Sequence, residues 1–272
     1  MKNGFRYFGK IVLCLSLLGA LAACKEDEIY IEKPVDQIYA QAKAAMDADN
    51  FNEAAKIFEE VERHHPYSSW ATKARLMAAY CYYEALKYDD AIVSLDSFIQ
   101  MHPGHQDIAY AYYLKGLSYY EQIADVRRDQ SLTERAHEAF EELVEKFPDS
   151  TYAKDASLKL SLLKDHLAGK EMAIGRFYLK QGYYQSAITR FQQVIVKYQT
   201  TSHTPEALHR LVESYVSVGL FDEAESVAAV LGYNFPGSEW YEDSYALLRE
   251  TDHVPRENDR SWISKAWKSL VK

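Results

Sequence analysis

Residues 50–58 read Asn-Phe-Asn-Glu-Ala-Ala-Lys-Ile-Phe, and Pro66 follows eight positions later. A phrase of this kind, an alanine accompanied by an aromatic residue, returns four more times. Its alanines lie 37, 45, 51 and 37 residues apart. The five alanines are Ala54, Ala91, Ala136, Ala187 and Ala224. A proline ends every copy except the fourth, where Gln199 takes its place. Self-similarity at such intervals predicts a stack of helical units.

A second pattern precedes three of the phrases: a small residue and, three positions later, a tyrosine. The pairs are Ala79 and Tyr82, Gly116 and Tyr119, and Gly175 and Tyr178. The combination resembles the tetratricopeptide repeat, in which small residues lie where two helices touch and a proline ends the second helix. This resemblance implies an all-α fold, a right-handed α-solenoid of about five tetratricopeptide-like helix pairs.

The array is expected to occupy residues 35–248, with an N-terminal half over 35–150 and a C-terminal half over 151–248. The two long intervals mark departures from a plain repeat. Residues 125–130, Asp-Val-Arg-Arg-Asp-Gln, predict a charged surface loop. Apolar residues between Tyr152 and Leu167 predict one helix that continues into the next repeat, and Gly169 is the position at which it could bend.

The N-terminus has the features of an export signal. Residues 1–23 hold Lys2, Arg6 and Lys10 without an acidic residue, then an apolar run too short to span a bilayer. Leu-Ala-Ala before Cys24 resembles the bacterial lipobox, which implies that Cys24 is diacylated and begins the mature chain. An ordinary secretory signal with an incidental cysteine is the alternative. Residues 24–34 would then form a lipidated tether to the membrane.

Cysteine usage and charge limit the remaining possibilities. Removal of the signal and acylation of Cys24 would leave Cys81 as a single thiol, so core packing and not a disulfide must stabilise the exported protein. The whole chain has a formal net charge of −9, and the part after residue 23 carries −12. A surface this acidic opposes binding to nucleic acid.

Segments outside the repeat phrase carry a more specific resemblance. They are His65-Pro66-Tyr67, Ala79-Tyr80-Cys81-Tyr82-Tyr83, His102-Pro103-Gly104-His105, Phe147-Pro148-Asp149-Ser150 and Leu163-Lys164-Asp165. Over about residues 20–235 the chain resembles the BamD family, lipoprotein subunits of the β-barrel assembly machinery. The resemblance implies an outer-membrane lipoprotein on the periplasmic face. It would bind BamA, other subunits of the machinery and unfolded outer-membrane β-barrel proteins, and promote their folding and insertion.

Two sets of candidate contact residues follow from this resemblance. In the N-terminal half, a tyrosine-lined groove would receive the aromatic, extended terminal signal of an unfolded barrel protein. Its candidates are Tyr67, Tyr80, Tyr83, Tyr110 and Tyr113. In the C-terminal half, cations on otherwise acidic helices would face BamA. These candidates are Arg176, Arg190, His209 and Arg210. Core packing is the alternative for each tyrosine, and a solvated helix face is the alternative for each cation.

The segment 249–272 differs from the array. Residues 249–259 are polar and predict a linker. Trp262, Ile263, Ala266, Trp267 and Leu270 then share one helical face, with lysines on the others. Such a basic amphipathic helix is typical of a contact with a partner, which we favour, or with a membrane. Because a helix of about ten residues is marginal alone, we expect it to order only on binding, so that deletion of 258–272 leaves the fold intact.

The sequence carries no strong pattern for catalysis or for metal binding. His64, His65, His102 and His105 have spacing that invites a metal, but no cysteine or acidic cluster accompanies them. The sequence contains no His-Glu-x-x-His, no Gly-x-Ser-x-Gly and no phosphate-binding glycine loop. We therefore expect a non-catalytic protein without a cofactor. A general periplasmic scaffold for cell-envelope or peptidoglycan factors and a glycan-handling protein stay open as alternatives.

Overall fold

The computed structural model describes residues 33–123 and 130–268, and within them the chain forms twelve α-helices and no strand. The helices are α1 (Val35–Asp47), α2 (Phe51–His64), α3 (Ser69–Glu84), α4 (Tyr88–Met101), α5 (Ile108–Tyr120), α6 (Ser131–Lys146), α7 (Thr151–Lys180), α8 (Tyr184–Lys197), α9 (Thr204–Val218), α10 (Phe221–Asn234), α11 (Glu239–Glu250) and α12 (Trp262–Lys268). The predicted all-α repeat fold is confirmed. None of these described helices combines the length and hydropathy that a membrane crossing needs. The predicted signal peptide, Cys24, residues 125–129 and Leu270 lie outside the described residues.

The helices pack in pairs, from α1 with α2 to α9 with α10, and each pair packs on the next. The first helices of successive pairs also touch each other, from α1 and α3 through to α9 and α11. They therefore form one continuous row, which makes the inner wall of the solenoid. The second helices form the outer wall. Side chains on α3, α5 and α7 thus share one surface.

The tight turns within the pairs share one conformation. In four pairs a residue five positions before the repeat alanine adopts a positive φ, namely Asp49 (60°), Leu86 (58°), Gly182 (77°) and Gly219 (78°). Glycine adopts this left-handed conformation without a Cβ clash and commonly ends helices in this way. The fourth and fifth turns are therefore relaxed, whereas Leu86 is held in a conformation that side chains disfavour.

The repeat alanines lie where the two helices of each pair meet, and all five are fully buried. Two of the small residues on the facing helices are glycines, and the space around them leaves no room for a side chain. A Cβ on Gly116 would lie 2.5 Å from a ring carbon of Phe140, and one on Gly175 would lie 2.5 Å from Phe191. The prediction that small residues lie where two helices touch is thus confirmed in these two pairs, and the structure adds that each glycine faces the aromatic residue of the phrase.

Buried apolar residues form two cores that share α7. The N-terminal core extends from Ile38 to Leu163, and the C-terminal core extends from Ala168 to Ile263. The 30-residue α7 runs without a break through Gly169 and is about 45 Å long. The change of core falls in the middle of this helix. Next to it, the backbone N–H and hydroxyl of Ser202 donate to Asp165 Oδ1 at 3.1 and 2.8 Å.

The C-terminal tail packs on its own chain, which corrects the expectation that it orders only on binding. Ile263 is fully buried in the C-terminal core, and the rings of Trp262 and Trp267 are half-buried against that core. Trp267 Nε1 donates to Asn234 Oδ1 at 2.9 Å, and its ring meets the ring of Phe235 edge-on. The face offered to a partner or membrane is therefore largely covered by α10.

One buried carboxylate fixes the segment before α12. Glu225 on α10 is 5% exposed and accepts hydrogen bonds from His253 Nδ1 at 2.8 Å and from Arg256 at 2.7 Å. Burial raises the pKa of Glu225, but the two hydrogen bonds outweigh burial, and the pKa is lowered overall. The His253 ring also stacks on Phe221 at 4.3 Å. Residues 251–261 are thus a strap along α10 and not a free linker.

Candidate peptide-binding groove

Four of the five predicted groove tyrosines lie on the inner row of helices. Tyr80 and Tyr83 come from α3, and Tyr110 and Tyr113 come from α5. The spacing of three residues places each pair on one helix face. All four are half-buried, with their rings packed against the N-terminal core. The four tyrosines therefore form part of the inner wall of the solenoid. Part of each ring packs in the core, as the core-packing alternative proposed.

The next inner helix, α7, continues this surface. The Tyr152 ring lies 5.4 Å from the ring of Tyr110 and 5.3 Å from that of Tyr113. The Tyr113 hydroxyl donates to Asp155 Oδ2 at 2.6 Å, and Lys159 Nζ lies 3.2 Å from the same oxygen. Three successive helices of the inner row, α3, α5 and α7, thus present one aromatic surface. The tyrosine groove is Tyr80, Tyr83, Tyr110, Tyr113, Tyr152 and Asp155.

Tyr152 and Asp155 were not among the residues predicted for the groove. A signal for them exists in the sequence, because they repeat the spacing of three residues found in the two tyrosine pairs. The signal is incomplete, however, since the pairs occupy different positions relative to the small residue of each repeat. Only the packing of α5 against α7 brings Tyr152 beside Tyr110.

Burial raises the pKa of three of the groove tyrosines above the ordinary value. It raises the pKa of Tyr83 to about 12, with a further contribution from the nearby carboxylate of Glu121. Burial also raises the pKa of Tyr110, and it raises that of Tyr113 together with the hydrogen bond to Asp155. At neutral pH these three tyrosines therefore offer aromatic faces and neutral hydroxyl groups, beside the charged carboxylate of Asp155. These suit a segment with aromatic side chains and free backbone hydrogen-bonding groups.

Tyr67 lies apart from the other predicted groove residues. It is fully exposed on the loop between α2 and α3, whereas the groove tyrosines are half-buried on helices. Along α3, Tyr80 is about 15 Å beyond Trp70, which lies in the first turn of the helix after this loop. The structure thus corrects its predicted location in the groove, while any contact that it makes stays a prediction.

The predicted cations of the C-terminal half are paired with acids of the same chain. Arg176 Nη1 lies 2.8 Å from Glu206 Oε2, and Arg190 Nη1 lies 3.1 Å from Glu171 Oε2. Arg210 Nη1 lies 2.8 Å from Glu213 Oε2. Arg176 remains exposed and the other two are half-buried. A partner at this surface would therefore meet ion pairs and not isolated positive charges.

His209 does not lie on the surface where the sequence analysis placed it. It is buried between α9 and α11, with Nδ1 2.8 Å from the hydroxyl of Ser244 and its ring 5.4 Å from that of Trp240. Burial and then the neighbouring Arg210 lower its pKa, so the ring is neutral at physiological pH. Its position makes it a packing residue and separates it from the surface cations.

The histidines with metal-like spacing have other contacts. His65 Nε2 lies 2.9 Å from the backbone carbonyl oxygen of Lys33, and His105 Nδ1 accepts a hydrogen bond from the Asp107 N–H at 3.1 Å. The rings of His102 and His105 lie 5.5 and 5.3 Å from Phe98. Among the described residues no group of three or more histidine, cysteine or acidic side chains is arranged to hold a metal ion.

Comparison with known proteins gives a family match over most of the array. Residues 31–231 match the family described as YfiO, outer membrane lipoprotein. The matched range includes all five helix pairs except the last three residues of α10, and so it contains the tyrosine groove.

Individual relatives are similar over nearly the whole chain. The outer membrane protein assembly factor BamD of Caulobacter vibrioides is 48% identical over 90% of this chain and 81% of its own length. The protein of the same name from Rickettsia prowazekii is 46% identical over 88% of this chain and 97% of its own length. Among solved structures, the TPR2AB domain of yeast Sti1 has a TM-score of 0.40 and 13% identity, over 87% of this chain and 88% of that chain.

Proposed function

Because the chain belongs to the YfiO family of outer membrane lipoproteins and has close relatives named BamD, we propose that it is a non-catalytic subunit of the β-barrel assembly machinery. The observation that carries the proposal is the 48% identity to an outer membrane protein assembly factor across 90% of the chain. A stack of helix pairs with a long inner surface suits a binding role. Its role would be to bind other proteins and to position them.

The tyrosine groove is the proposed receptor for unfolded barrel proteins. Such clients expose unpaired strand edges, which aggregate unless they are bound. Three neighbouring rings, those of Tyr110, Tyr113 and Tyr152, offer aromatic faces to a client's aromatic side chains. The neutral hydroxyls can exchange hydrogen bonds with its backbone.

The C-terminal half is the proposed site for BamA. Arg176, Arg190 and Arg210 would orient the partner more than they would add affinity, because their charges are already paired. Phe177 and Tyr183, both largely exposed and both within 6.4 Å of the Tyr178 ring, supply apolar surface beside Arg176. We expect these rings to contribute most of the binding energy.

The third part of the proposal is an acyl anchor at Cys24, with the repeat array on the periplasmic face of the outer membrane. A single acyl chain binds a bilayer only marginally, so stable anchoring needs more than one chain. Diacylation of Cys24 would meet this requirement and would confine the groove to the membrane surface where clients insert.

The proposal is tested by affinity purification from detergent-solubilised envelopes. The tagged full-length protein and its Cys24→Ala variant would be purified side by side. We expect both to retain a stoichiometric β-barrel partner that carries periplasmic domains, and only the first to yield an acylated N-terminal peptide by mass spectrometry. Recovery of cell-wall enzymes in place of that partner would overturn the assembly role and favour a general envelope scaffold.

Client binding is tested separately with a synthetic peptide of a barrel protein's final strand. Tyr152→Ala removes the ring that packs against both Tyr110 and Tyr113, and we expect it to weaken binding about tenfold by fluorescence anisotropy, in keeping with loss of an aromatic contact. Tyr233→Ala is the matched control, because Tyr233 is 80% exposed on α10 and outside the groove. Equal affinity of the two variants would contradict the groove assignment.

A further inference from the structure

Two exposed aromatic residues stand together at the first repeat, outside the tyrosine groove. Tyr67 is fully exposed on the loop between α2 and α3, and Trp70 at the start of α3 is 39% exposed. The Trp70 ring meets the ring of Tyr39 from α1 at 4.8 Å. We call Tyr39, Tyr67 and Trp70 the aromatic edge.

Local structure holds this edge in one conformation. The Ser68 side chain caps α3 by accepting a hydrogen bond from the Trp70 N–H at 3.1 Å. The Ser68 N–H in turn donates to the His65 carbonyl oxygen at 3.0 Å, which closes the loop on which Tyr67 lies. Tyr67 is therefore displayed by an ordered turn, and its ring is left for a contact outside the chain.

The described chain begins beside the same loop. The carbonyl oxygen of Lys33 lies 2.9 Å from Nε2 of His65, two residues before Tyr67. Nine residues separate Lys33 from Cys24, and nine residues reach at most about 30 Å when fully extended. If Cys24 is acylated, the aromatic edge lies within that distance of the bilayer.

Two lysines lie near the aromatic edge. Lys33 is exposed, and Lys73 lies with its Nζ 5.8 Å from the centre of the Tyr39 ring. Asp36 is an acidic residue on the first turn of α1. Lysine with tyrosine and tryptophan is the combination found at the interfacial level of membranes.

We propose that the aromatic edge lies on the inner leaflet of the outer membrane, with Tyr67 inserted among the lipid headgroups. The inference rests on the acyl anchor proposed at Cys24, which supplies the high local concentration that a small aromatic contact requires. It adds an orientation to that anchor, because the first repeat is held against the bilayer. The tyrosine groove, which begins about 15 Å further along α3, would then lie close to the membrane surface.

The test uses an environment-sensitive nitrobenzoxadiazole label on the full-length, acylated protein carrying Tyr67→Cys. Tyr233→Cys, 80% exposed on the fifth pair, is the matched control, and Cys81 does not compete for label because it is fully buried. The protein would be reconstituted into vesicles of phosphatidylethanolamine and phosphatidylglycerol. We expect a several-fold rise in emission at position 67, with quenching by spin-labelled lipid, and no change at position 233.

A second arm separates this inference from the anchor on which it rests. The chain from residue 25, with an N-terminal histidine tag, would be held on vesicles that contain a nickel-chelating lipid. A response at position 67 in this arm supports the membrane contact even if the full-length protein fails to float with vesicles, which would refute acylation alone. A label at position 67 that stays water-exposed on protein that floats would overturn the inference. So would a response that requires a barrel-protein peptide or BamA instead of lipid.

Discussion

Leu86 occupies the left-handed turn position of the second helix pair with φ of 58°, and 71% of its side chain is exposed. The equivalent residues of the fourth and fifth pairs are Gly182 and Gly219. Leu86→Gly should therefore relieve strain without loss of packing and raise the free energy of unfolding by about 0.5–1 kcal/mol. The midpoint of urea unfolding measures it, and Gly219→Leu should shift the midpoint the opposite way. A fall in stability for Leu86→Gly would show that the exposed side chain contributes contacts after all.

Also at the residue scale, the pKa of Asp155 is lowered, chiefly by the hydrogen bond from Tyr113; burial opposes this effect, and Lys159 adds to it. A carboxyl whose folded pKa lies below its unfolded value stabilises the fold above the unfolded pKa, about 4 for aspartate. This stabilisation disappears as the pH falls through the folded pKa. Tyr113→Phe should therefore lower the unfolding free energy at pH 7 and have little effect near pH 2. Denaturant unfolding across this range is the measurement, and an effect independent of pH would contradict the assignment.

At the scale of the helix pair, a small residue and a large one share a fixed space. Gly116 faces Phe140 in the third pair, and the equivalent sequence positions in the second pair hold Ala79 and Leu95, both fully buried. Gly116→Ala should overpack the contact and cost about 1–3 kcal/mol, less the gain in helix propensity. Phe140→Leu should lower stability by leaving a cavity. The double variant reproduces the second pair, so its loss should be smaller than the sum of the two single losses. Additive losses in a double-mutant cycle would refute this volume exchange.

The tail is an element whose stability can be tested in the same way. Ile263 is fully buried, so Ile263→Ala should lower the unfolding free energy by about 2–5 kcal/mol. Val254→Ala, at an exposed position of the strap, should change it by less than about 0.5 kcal/mol. Deletion of 258–272 should then destabilise the fifth pair, contrary to what the sequence alone predicted. Thermal unfolding followed by circular dichroism compares the three variants. If the deletion variant is as stable as the parent protein, the tail would instead be assigned to a contact with a partner.

On the scale of the whole molecule, the sequence was most informative where a local pattern repeats. The repeat alanines, the small residues at the helix contacts and the single long α7 all follow from spacing within one or two helices. The groove and the tail depend instead on contacts between distant segments. Tyr152 reaches Tyr110 only through the packing of α7 on α5, and Trp267 finds Asn234 across 33 residues. An amphipathic face indicates that a helix will be covered, but it does not say by what. This is why Ile263 was assigned to a partner and His209 to the surface.

The central position of α7 leads to a prediction about how the two cores communicate. The cores meet between Leu163 and Ala168, so the continuity of α7 should couple their unfolding. His166→Pro removes a helix hydrogen bond at this point, costs about 3 kcal/mol and should divide one cooperative transition into two. Thr151→Pro is the matched control, because Thr151 is the first residue of α7 and the preceding Ser150 is already extended with ψ of 148°. Calorimetry distinguishes the outcomes. If His166→Pro unfolds in a single transition like Thr151→Pro, then side-chain contacts such as that of Ser202 with Asp165 couple the two halves. In that case the effect of a client bound in the groove would be transmitted to the C-terminal half through these contacts and not through the backbone of α7.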